Sequence, residues 1–259
     1  MGSLTLEAIR RAHRRIAPLV HRTPVLTSQY FDRWLGAQLF FKCENFQKIG
    51  AFKIRGATNA VLSLPPEQRA RGVVTHSSGN HGQALALAAG SHGIPAVVVM
   101  PDNSPAVKRA AVRGYGAEVR LCAPTMADRE RVAAEVIEER GAVLVHPFDD
   151  ARIIAGQATA AVELLEEIVG LDLILAPVGG GGLLSGTALA AHYLAPKTAV
   201  FGTEPAGAGS RRARPKPSPT ASAAASATSP SASSSATSRA SSRSARRPSW
   251  RPCGGCGSA

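Results

Sequence analysis

The sequence has few aromatic residues, few cysteines and no long uninterrupted apolar run. Aromatic side chains make up 5% of the 259 residues, and the four cysteines are scattered as Cys43, Cys122, Cys253 and Cys256. Four scattered cysteines cannot form the dense disulfide framework of a small secreted domain. The spacing of Cys253 and Cys256 is that of a metal or redox pair, but a zinc site needs four ligands and the chain has no second such pair. We therefore do not expect cysteine chemistry to carry the function.

Signals for membrane insertion and export are also missing from the sequence. No stretch approaches the run of about 18 consecutive apolar residues that a membrane-spanning helix needs. The N-terminus, MGSLTLEAIRRAHRR, lacks the apolar core and small-residue cleavage site of a signal peptide. We expect a cytoplasmic protein with no membrane partner.

Residues 209–259 contain no acidic residue and no Leu, Ile, Val, Met or Phe. This segment holds nine of the 30 Lys and Arg residues, so most of the net charge of +12 lies there and residues 1–208 carry only +3. A segment of this composition cannot bury enough apolar surface to offset its ordering entropy. We expect it to be a disordered low-complexity tail. Trp250 is the one aromatic residue among its arginines, so we expect no nucleic-acid partner.

Within residues 1–208, short apolar runs alternate with helical stretches. The predicted strands are 39–41, 73–75, 96–100, 118–121, 142–145, 171–178 and 199–202. An opening amphipathic helix ends near Pro18, and further helical patterns occupy 83–89, 106–113, 127–139, 153–169 and 183–194. Nearly apolar strands separated by helices predict parallel sheets that are covered on both faces. The sequence therefore predicts an α/β fold with two parallel-rich sheets and covering helices.

A run of four glycines follows the predicted strand 171–178. The segment reads Pro177-Val-Gly-Gly-Gly-Gly-Leu-Leu-Ser-Gly186, and it leads directly into a predicted helix. Glycines let the backbone wrap closely around an anion, and a helix N-terminus points free N–H groups at it. The pattern predicts a phosphate site. It also fits a dinucleotide site, because Glu204 ends the next predicted strand at the place of a ribose-binding acid.

A polar loop follows the predicted strand 73–75 and reads His76-Ser-Ser-Gly-Asn-His-Gly-Gln83. Hydroxyl, amide and imidazole groups at a strand end, immediately before a helix, suit a small carboxylate. A single serine would be enough for an ordinary helix cap. A serine nucleophile is disfavoured, because Ser77-Ser78-Gly79 does not form a Gly-x-Ser-x-Gly elbow.

Lys53 lies among apolar and small residues in the segment Ala51-Phe-Lys-Ile-Arg-Gly-Ala57. These neighbours predict a partly buried amine in the first turn of a helix. Burial disfavours the ammonium form, and a neutral amine can attack an aldehyde. A Schiff-base lysine together with a separate phosphate site matches the two attachment points of pyridoxal 5'-phosphate. A dinucleotide site would leave both Lys53 and the polar loop unexplained.

Four segments together resemble the threonine dehydratase and serine racemase group of fold-type II pyridoxal phosphate enzymes, whose fold is that of the tryptophan synthase β chain. These segments are Asn45–Ala57, Ser77–Gln83, His146–Asp150 with Ile154–Gln157, and Pro177–Gly182. The resemblance runs from about residue 4 to residue 208. It implies pyridoxal 5'-phosphate as the cofactor and a small hydroxy amino acid as the substrate.

The resemblance also implies roles for individual residues. Lys53 is implied to bond to the cofactor aldehyde and later to move the substrate Cα proton, with Phe52 against the cofactor ring and Asn80 on the ring hydroxyl. The phosphate is implied to be held by backbone N–H groups of Gly179, Gly180, Gly181, Gly182 and Leu183. The substrate carboxylate is implied to be held by Ser77, Ser78, Gly79 and His81. Ser78 also resembles the acid/base that racemases use on the opposite face of the ring.

The activity implied is β-elimination from L-threonine or L-serine, which yields a 2-oxo acid and ammonia. Serine racemase activity is the alternative within the same group, and the stretch Phe148–Asp150 leans toward dehydratase. Members of the group continue with further folded elements beyond the position of Pro205. The resemblance thus predicts that the chain lacks the C-terminal part of the family domain, so a catalytically inactive remnant is a second alternative.

The same comparison predicts the domain organisation and the absence of a metal. A cofactor domain is expected to comprise 1–66 and 150–208, with a small domain carrying the carboxylate loop at 67–149 and the tail at 209–259. Related racemases hold a divalent cation where this chain has Glu204 and Ala208, but Ser210 replaces the final aspartate, so no metal site is predicted. Relatives are commonly oligomers, which makes a homo-oligomer the expected partner state.

Overall fold

The computed structural model describes residues 4–206, so the predicted tail and the positions Ala208 and Ser210 lie outside the described residues. Within residues 4–206 the chain alternates helices and strands, and the predicted α/β class is confirmed. The helices are α1 (Leu6–Ile16), α2 (Gln29–Leu35), α3 (Lys53–Leu62), α4 (Pro66–Arg71), α5 (Asn80–Gly90), α6 (Ala106–Gly114), α7 (Met126–Arg140), α8 (Ala151–Glu167) and α9 (Gly182–Leu194). The strands are β1 (Val25–Leu26), β2 (Phe41–Lys42), β3 (Val73–His76), β4 (Ala96–Pro101), β5 (Glu118–Cys122), β6 (Val143–Leu144), β7 (Leu173–Pro177) and β8 (Ala199–Thr203).

A parallel sheet in the order β5-β4-β3-β6 forms the middle of the described chain. Every residue of β3 and β4 is buried, which agrees with their continuous apolar runs. One face of the sheet packs through Val73 and Val98 in the same core cluster as Leu85 of α5. The other face packs through Val74 and Val97 with helix α7. The carboxyl edge of this sheet therefore carries the loops that follow β3 and β6.

Strands β7 and β8 form a second parallel sheet, and β1 pairs with β2 in an antiparallel ladder. Ile174 of β7 packs in one cluster with Leu164 of α8 and Ala191 of α9. The two parallel sheets agree with the predicted architecture. The β1–β2 ladder is an addition to it, because two-residue strands leave no periodic signal in the sequence.

Helix α8 is in close contact with both α3 and α9 because glycines occupy the contact points. A Cβ atom on Gly156 of α8 would lie 2.6 Å from the carbonyl oxygen of Arg55 in α3. A Cβ atom on Gly186 of α9 would lie 2.7 Å from the backbone nitrogen of Ala158 in α8. The helix that begins at Lys53 and the helix that begins at the glycine loop are thus both held against the same central helix.

We predict that Gly156→Ala lowers the free energy of unfolding by about 1–3 kcal/mol, because α3 and α8 must separate to make room for the methyl group. Gly114→Ala in α6 is the matched control, since a Cβ there meets nothing within 4 Å. Alanine is favoured over glycine in a helix, so the control should be neutral or slightly stabilising. Chemical denaturation of both variants measures the difference, and equal stabilities would contradict the close contact of the two helices.

A buried ion network fixes α3 to α8 and to the chain segment that precedes α3. The guanidinium of Arg55, which is fully buried, donates to both carboxylate oxygens of Glu44 at 2.8 Å and to those of Glu163 at 2.7 and 2.9 Å. The ammonium of Lys42 lies 2.7 Å from Glu163. Two cations and two carboxylates therefore neutralise each other in the interior.

Two further expectations concern the described residues. The four-stranded sheet spans residues 73–144 and so lies inside the range predicted for the small domain, while the domain boundaries themselves stay a prediction. Between residues 4 and 206, none of the helices combines the length and the apolar character required to span a membrane.

Candidate active site

Lys53 is the first residue of α3, and its amine is directed into the protein rather than into solvent. Its Nζ atom donates a hydrogen bond to the carbonyl oxygen of Pro147 at 2.9 Å and lies 5.3 Å from the centre of the Phe52 ring. Burial lowers the pKa of Lys53 from 10.5 to about 8, because the interior disfavours the charged form. At neutral pH the amine thus has a far larger neutral fraction than an exposed lysine has.

We predict that acylation of Lys53 by an amine reagent reaches half its maximal rate near pH 8, because only the neutral amine reacts. In the denatured chain the same residue should show the ordinary pKa near 10.5. The measurement is the pH dependence of the modified peptide containing residue 53, quantified by mass spectrometry. Identical profiles for the folded and denatured chains would contradict the burial of the amine.

The glycine loop lies between β7 and α9, as the sequence predicts. Gly181 has a φ of +92°, which favours glycine, and it precedes the first turn of α9, where no side chain caps the helix. The N–H groups of this turn and the positive end of the helix dipole are suited to an anion such as a phosphate. Gly180 has no room for a side chain, because a Cβ there would overlap the ring of Phe148.

The segment 146–148 connects the two predicted attachment points of the cofactor. The carbonyl of Pro147 accepts the hydrogen bond from Lys53, and the next residue, Phe148, packs its ring on Gly180. A Cβ on Gly182 would lie 3.2 Å from the carbonyl oxygen of Phe148, so the backbone of this segment also lies against the start of α9. The structure thus brings Lys53 and the glycine loop to adjacent residues of one segment.

The predicted carboxylate loop lies at the carboxyl end of β3, before α5. The Oγ of Ser77 accepts a hydrogen bond from the backbone N–H of Gly79 at 3.3 Å, and no side chain caps the first turn of α5. Ser77, Ser78 and Gly79 are half-buried, whereas Asn80 is exposed at the first position of α5. Hydroxyl groups and free backbone N–H groups therefore face the same helix start, which is what a carboxylate requires.

His81 is buried in α5, and its ring is committed to a structural contact. Its Nε2 donates to the carbonyl oxygen of Val145 at 3.2 Å, which leaves Nδ1 without a hydrogen. Burial first, and then the charge of Lys53, lower the pKa of His81 to about 3. A neutral ring with a bare Nδ1 cannot donate to a carboxylate. The carboxylate role predicted for His81 stays a prediction, and its backbone N–H is the group that can fulfil it.

The sequence predicted no separate role for His146 and Pro147, although both contribute to this site. They follow β6 at the same edge of the sheet as the loop after β3, so the rule that ligands bind at the carboxyl ends of parallel strands could have identified them. Polar atoms of Pro147 and His81 lie near Lys53 from different elements. The functional cluster therefore includes the segment after β6.

The arrangement fits pyridoxal phosphate better than the alternatives. A buried amine of lowered pKa, an aromatic ring beside it and a glycine-rich helix start supply a nucleophile for the aldehyde and a cradle for the phosphate. Glu204, the acid that a dinucleotide site would use, is exposed. Among residues 4–206 no three His, Cys, Asp or Glu side chains are grouped to hold a metal.

Comparison with known proteins gives consistent matches. The model of the family "Pyridoxal-phosphate dependent enzyme" matches residues 16–247. Serine racemase of Dictyostelium discoideum is 50% identical over 208 residues, which cover 80% of this chain and 64% of the racemase. The β-hydroxyaspartate dehydratase of Paracoccus denitrificans is 53% identical over 201 residues, covering 78% of this chain and 64% of the dehydratase. The chain thus spans just under two thirds of the length of these relatives.

Solved structures agree with the sequence matches. The crystal structure of the Dictyostelium racemase gives a TM-score of 0.77 and covers 78% of this chain and 66% of the racemase chain. A bacterial threonine deaminase, that of T.th., is 48% identical, with a TM-score of 0.73 and coverage of 79% of this chain and 66% of the deaminase chain. The resemblance to this group, the fold-type II architecture and the cofactor prediction are confirmed. The chain therefore belongs to the family of pyridoxal-phosphate dependent enzymes.

Proposed function

We propose that the chain is an ammonia-lyase that removes the β-hydroxyl and the amino group from a small 3-hydroxy amino acid, with L-serine and L-threonine as its substrates. The observation that supports this most strongly is the buried Lys53 amine, which shares the segment 146–148 with the glycine loop. The names of the relatives add 3-hydroxyaspartate to the substrates to be tested.

The bound cofactor supplies an electron sink for the pair of electrons left when the Cα proton is removed. In the proposed mechanism, the backbone N–H groups of 179–183 hold its phosphate and Phe52 lies against its ring. Asn80 is the proposed partner of the ring hydroxyl, and its position at the exposed start of α5 makes it accessible to a ligand. Each of these roles is carried by an element that begins at the site.

Lys53 is the proposed base that accepts the Cα proton. A pKa of about 8 suits this role, because a base with a pKa near the working pH is neutral often enough to accept a proton and basic enough to hold it. Ser77, Ser78 and the N–H groups at the start of α5 are proposed to hold the substrate carboxylate and so to fix the Cα–H bond relative to Lys53. The Cβ–O bond then breaks and the hydroxyl leaves as water, and the overall products are a 2-oxo acid and ammonia.

Racemisation of serine is the second candidate function, because a serine racemase is 50% identical to this chain. It requires a second proton-transferring group on the opposite face of the substrate. Ser78 is the proposed residue, since it lies half-buried in the loop that faces the start of α5. Ser78→Ala should therefore reduce racemisation more than elimination if both occur.

Activity assays on the 259-residue chain test the proposal. The purified chain with added pyridoxal phosphate is incubated separately with L-serine, L-threonine and L-threo-3-hydroxyaspartate, and 2-oxo acid, ammonia and D-serine are quantified. Equal amounts of 2-oxo acid and ammonia from serine or threonine support the lyase, whereas D-serine without ammonia favours the racemase. Binding of the cofactor without any product would contradict both activities and favour the inactive remnant. Size-exclusion chromatography with light scattering tests the predicted homo-oligomer.

A further inference from the structure

His146 closes the turn at the carboxyl end of β6 with its side chain. Its Nδ1 accepts a hydrogen bond from the backbone N–H of Asp149 at 2.9 Å and a longer one from the N–H of Phe148 at 3.4 Å. Both donors lie two or three residues further along the chain, which is the geometry by which an asparagine side chain stabilises a turn. The ring thus replaces a backbone acceptor in fixing the path of residues 146–149.

This contact sets the tautomer of the ring. Because Nδ1 accepts from N–H groups, it carries no hydrogen, and the hydrogen of the neutral imidazole lies on Nε2. The ring is half-buried and packs edge-on between two other rings, with centroid distances of 4.6 Å to Phe148 and 5.7 Å to His76. Its orientation is therefore fixed by packing as well as by hydrogen bonds.

The turn presents two groups to the candidate site. Its second residue, Pro147, directs its carbonyl to the Nζ of Lys53, and its third residue, Phe148, places its ring on Gly180. Both contacts depend on the backbone path between His146 and Asp149. A change in that path would move the partner of the amine and the support of the glycine loop together.

We propose that His146 is a positioning residue, whose Nδ1 shapes the turn that holds the Lys53 amine in place and supports the glycine loop. This inference deepens the proposed function and rests on it for its catalytic meaning, whereas the contacts themselves exist in the protein alone. Its chemical content is the acceptor atom: any side chain that offers an acceptor at the place of Nδ1 should preserve the turn.

The charges around the ring favour the accepting form. Burial, and then the neighbouring His76 of β3, lower the pKa of His146 below its ordinary 6.5, while Asp149, Asp150 and Glu130 of α7 act in the opposite direction. Lys53 and His81 complete the titratable groups on the other side, and the pKa of His81 is lowered in part by His146. The ring is therefore mainly neutral at pH 7, and Nδ1 remains an acceptor.

The test compares His146→Leu, which removes the acceptor, with His146→Asn, which supplies an amide oxygen in its place. Both are made in the full chain and examined without pyridoxal phosphate. Hydrogen exchange measures the amides of Phe148 and Asp149, and the pH profile of Lys53 acylation measures the environment of the amine. We expect His146→Leu to speed exchange of the two amides on the order of tenfold and to move the acylation profile upward toward pH 10.5. His146→Asn should restore both readouts.

Two outcomes would overturn the inference. If both variants alter the two readouts equally, the bulk of the ring and not its acceptor atom is what matters. If neither variant alters them, the turn does not depend on His146. Because neither readout uses cofactor or substrate, a failure of the proposed lyase activity would appear in the product assays and leave this result standing.

Discussion

Lys53→Ala is expected to abolish covalent attachment of pyridoxal phosphate to the chain. The reason is that the site offers a buried amine beside the glycine loop, and burial lowers the pKa of Lys53 to about 8 so that it reacts readily with an aldehyde. The measurement treats the chain with pyridoxal phosphate and borohydride, digests it, and locates the added pyridoxyl mass. The wild-type chain should carry it on the peptide containing residue 53, and the variant should carry none.

Lys48→Ala is the matched control for this experiment. Lys48 lies in the short turn Lys48–Gly50 just before α3, so the substitution removes an amine close in sequence without touching the hydrogen bond to Pro147. The control should keep full attachment at residue 53. Attachment at another lysine in the Lys53→Ala chain, at the wild-type extent, would show that the amine has been assigned to the wrong residue.

Glu163→Gln is expected to cause the largest loss of stability among single substitutions in the described part of the chain. The carboxylate of Glu163 neutralises both Arg55 and Lys42, and without it the two cations share only Glu44. Breaking a buried ion pair from one side costs about 3–5 kcal/mol, because a charge is left buried without compensation. Typical domains are stable by about 5–15 kcal/mol, so the variant should be mostly unfolded at moderate denaturant concentrations.

Glu166→Gln, one turn further along α8, is the control. Glu166 forms an exposed ion pair with Arg22 at 3.0 Å, and exposed pairs contribute at most about 1 kcal/mol. Urea denaturation monitored by circular dichroism compares the two variants. Similar losses of stability would contradict the account of the network as the link between α3 and α8.

The pH dependence of stability should show the same network. Burial acts to raise the pKa of Glu163, but hydrogen bonds and charges from Arg55 and Lys42 outweigh it and lower the pKa below 4.5. A carboxylate with a lowered pKa stabilises the folded state above its ordinary pKa, and this contribution is lost as the pH falls through the lowered value. The Glu163→Gln chain should therefore lose less stability on acidification below pH 4.5 than the wild type does.

Much of the fold could be predicted because the strands of the central sheet are continuous apolar runs. The predicted strands 73–75 and 96–100 differ from β3 and β4 by one residue at their ends. Helix α2 was not predicted, because it buries none of its side chains and so shows no apolar face. Its ends carried the usable signals, a serine cap at Ser28 and a left-handed glycine at Gly36.

The candidate site was predictable where one residue type has one strong chemical use. Lys53 among apolar neighbours and the four glycines before a helix meet that condition. The contributions of Pro147 and His146 were not predictable in this way, since one acts through a backbone carbonyl and the other through a hydrogen bond inside a turn. Such contacts depend on the tertiary path of the chain, which side-chain types do not reveal.

A crystal structure of the chain soaked with pyridoxal phosphate tests the central claim most directly. The claim is that Lys53 and the glycine loop are the two attachment points of one cofactor, joined by the segment 146–148. It predicts continuous density from the Nζ of Lys53 to the ligand, with the phosphate on the backbone N–H groups of residues 179–183. A ligand bound elsewhere, or Lys53 directed into solvent away from the glycine loop, would contradict it.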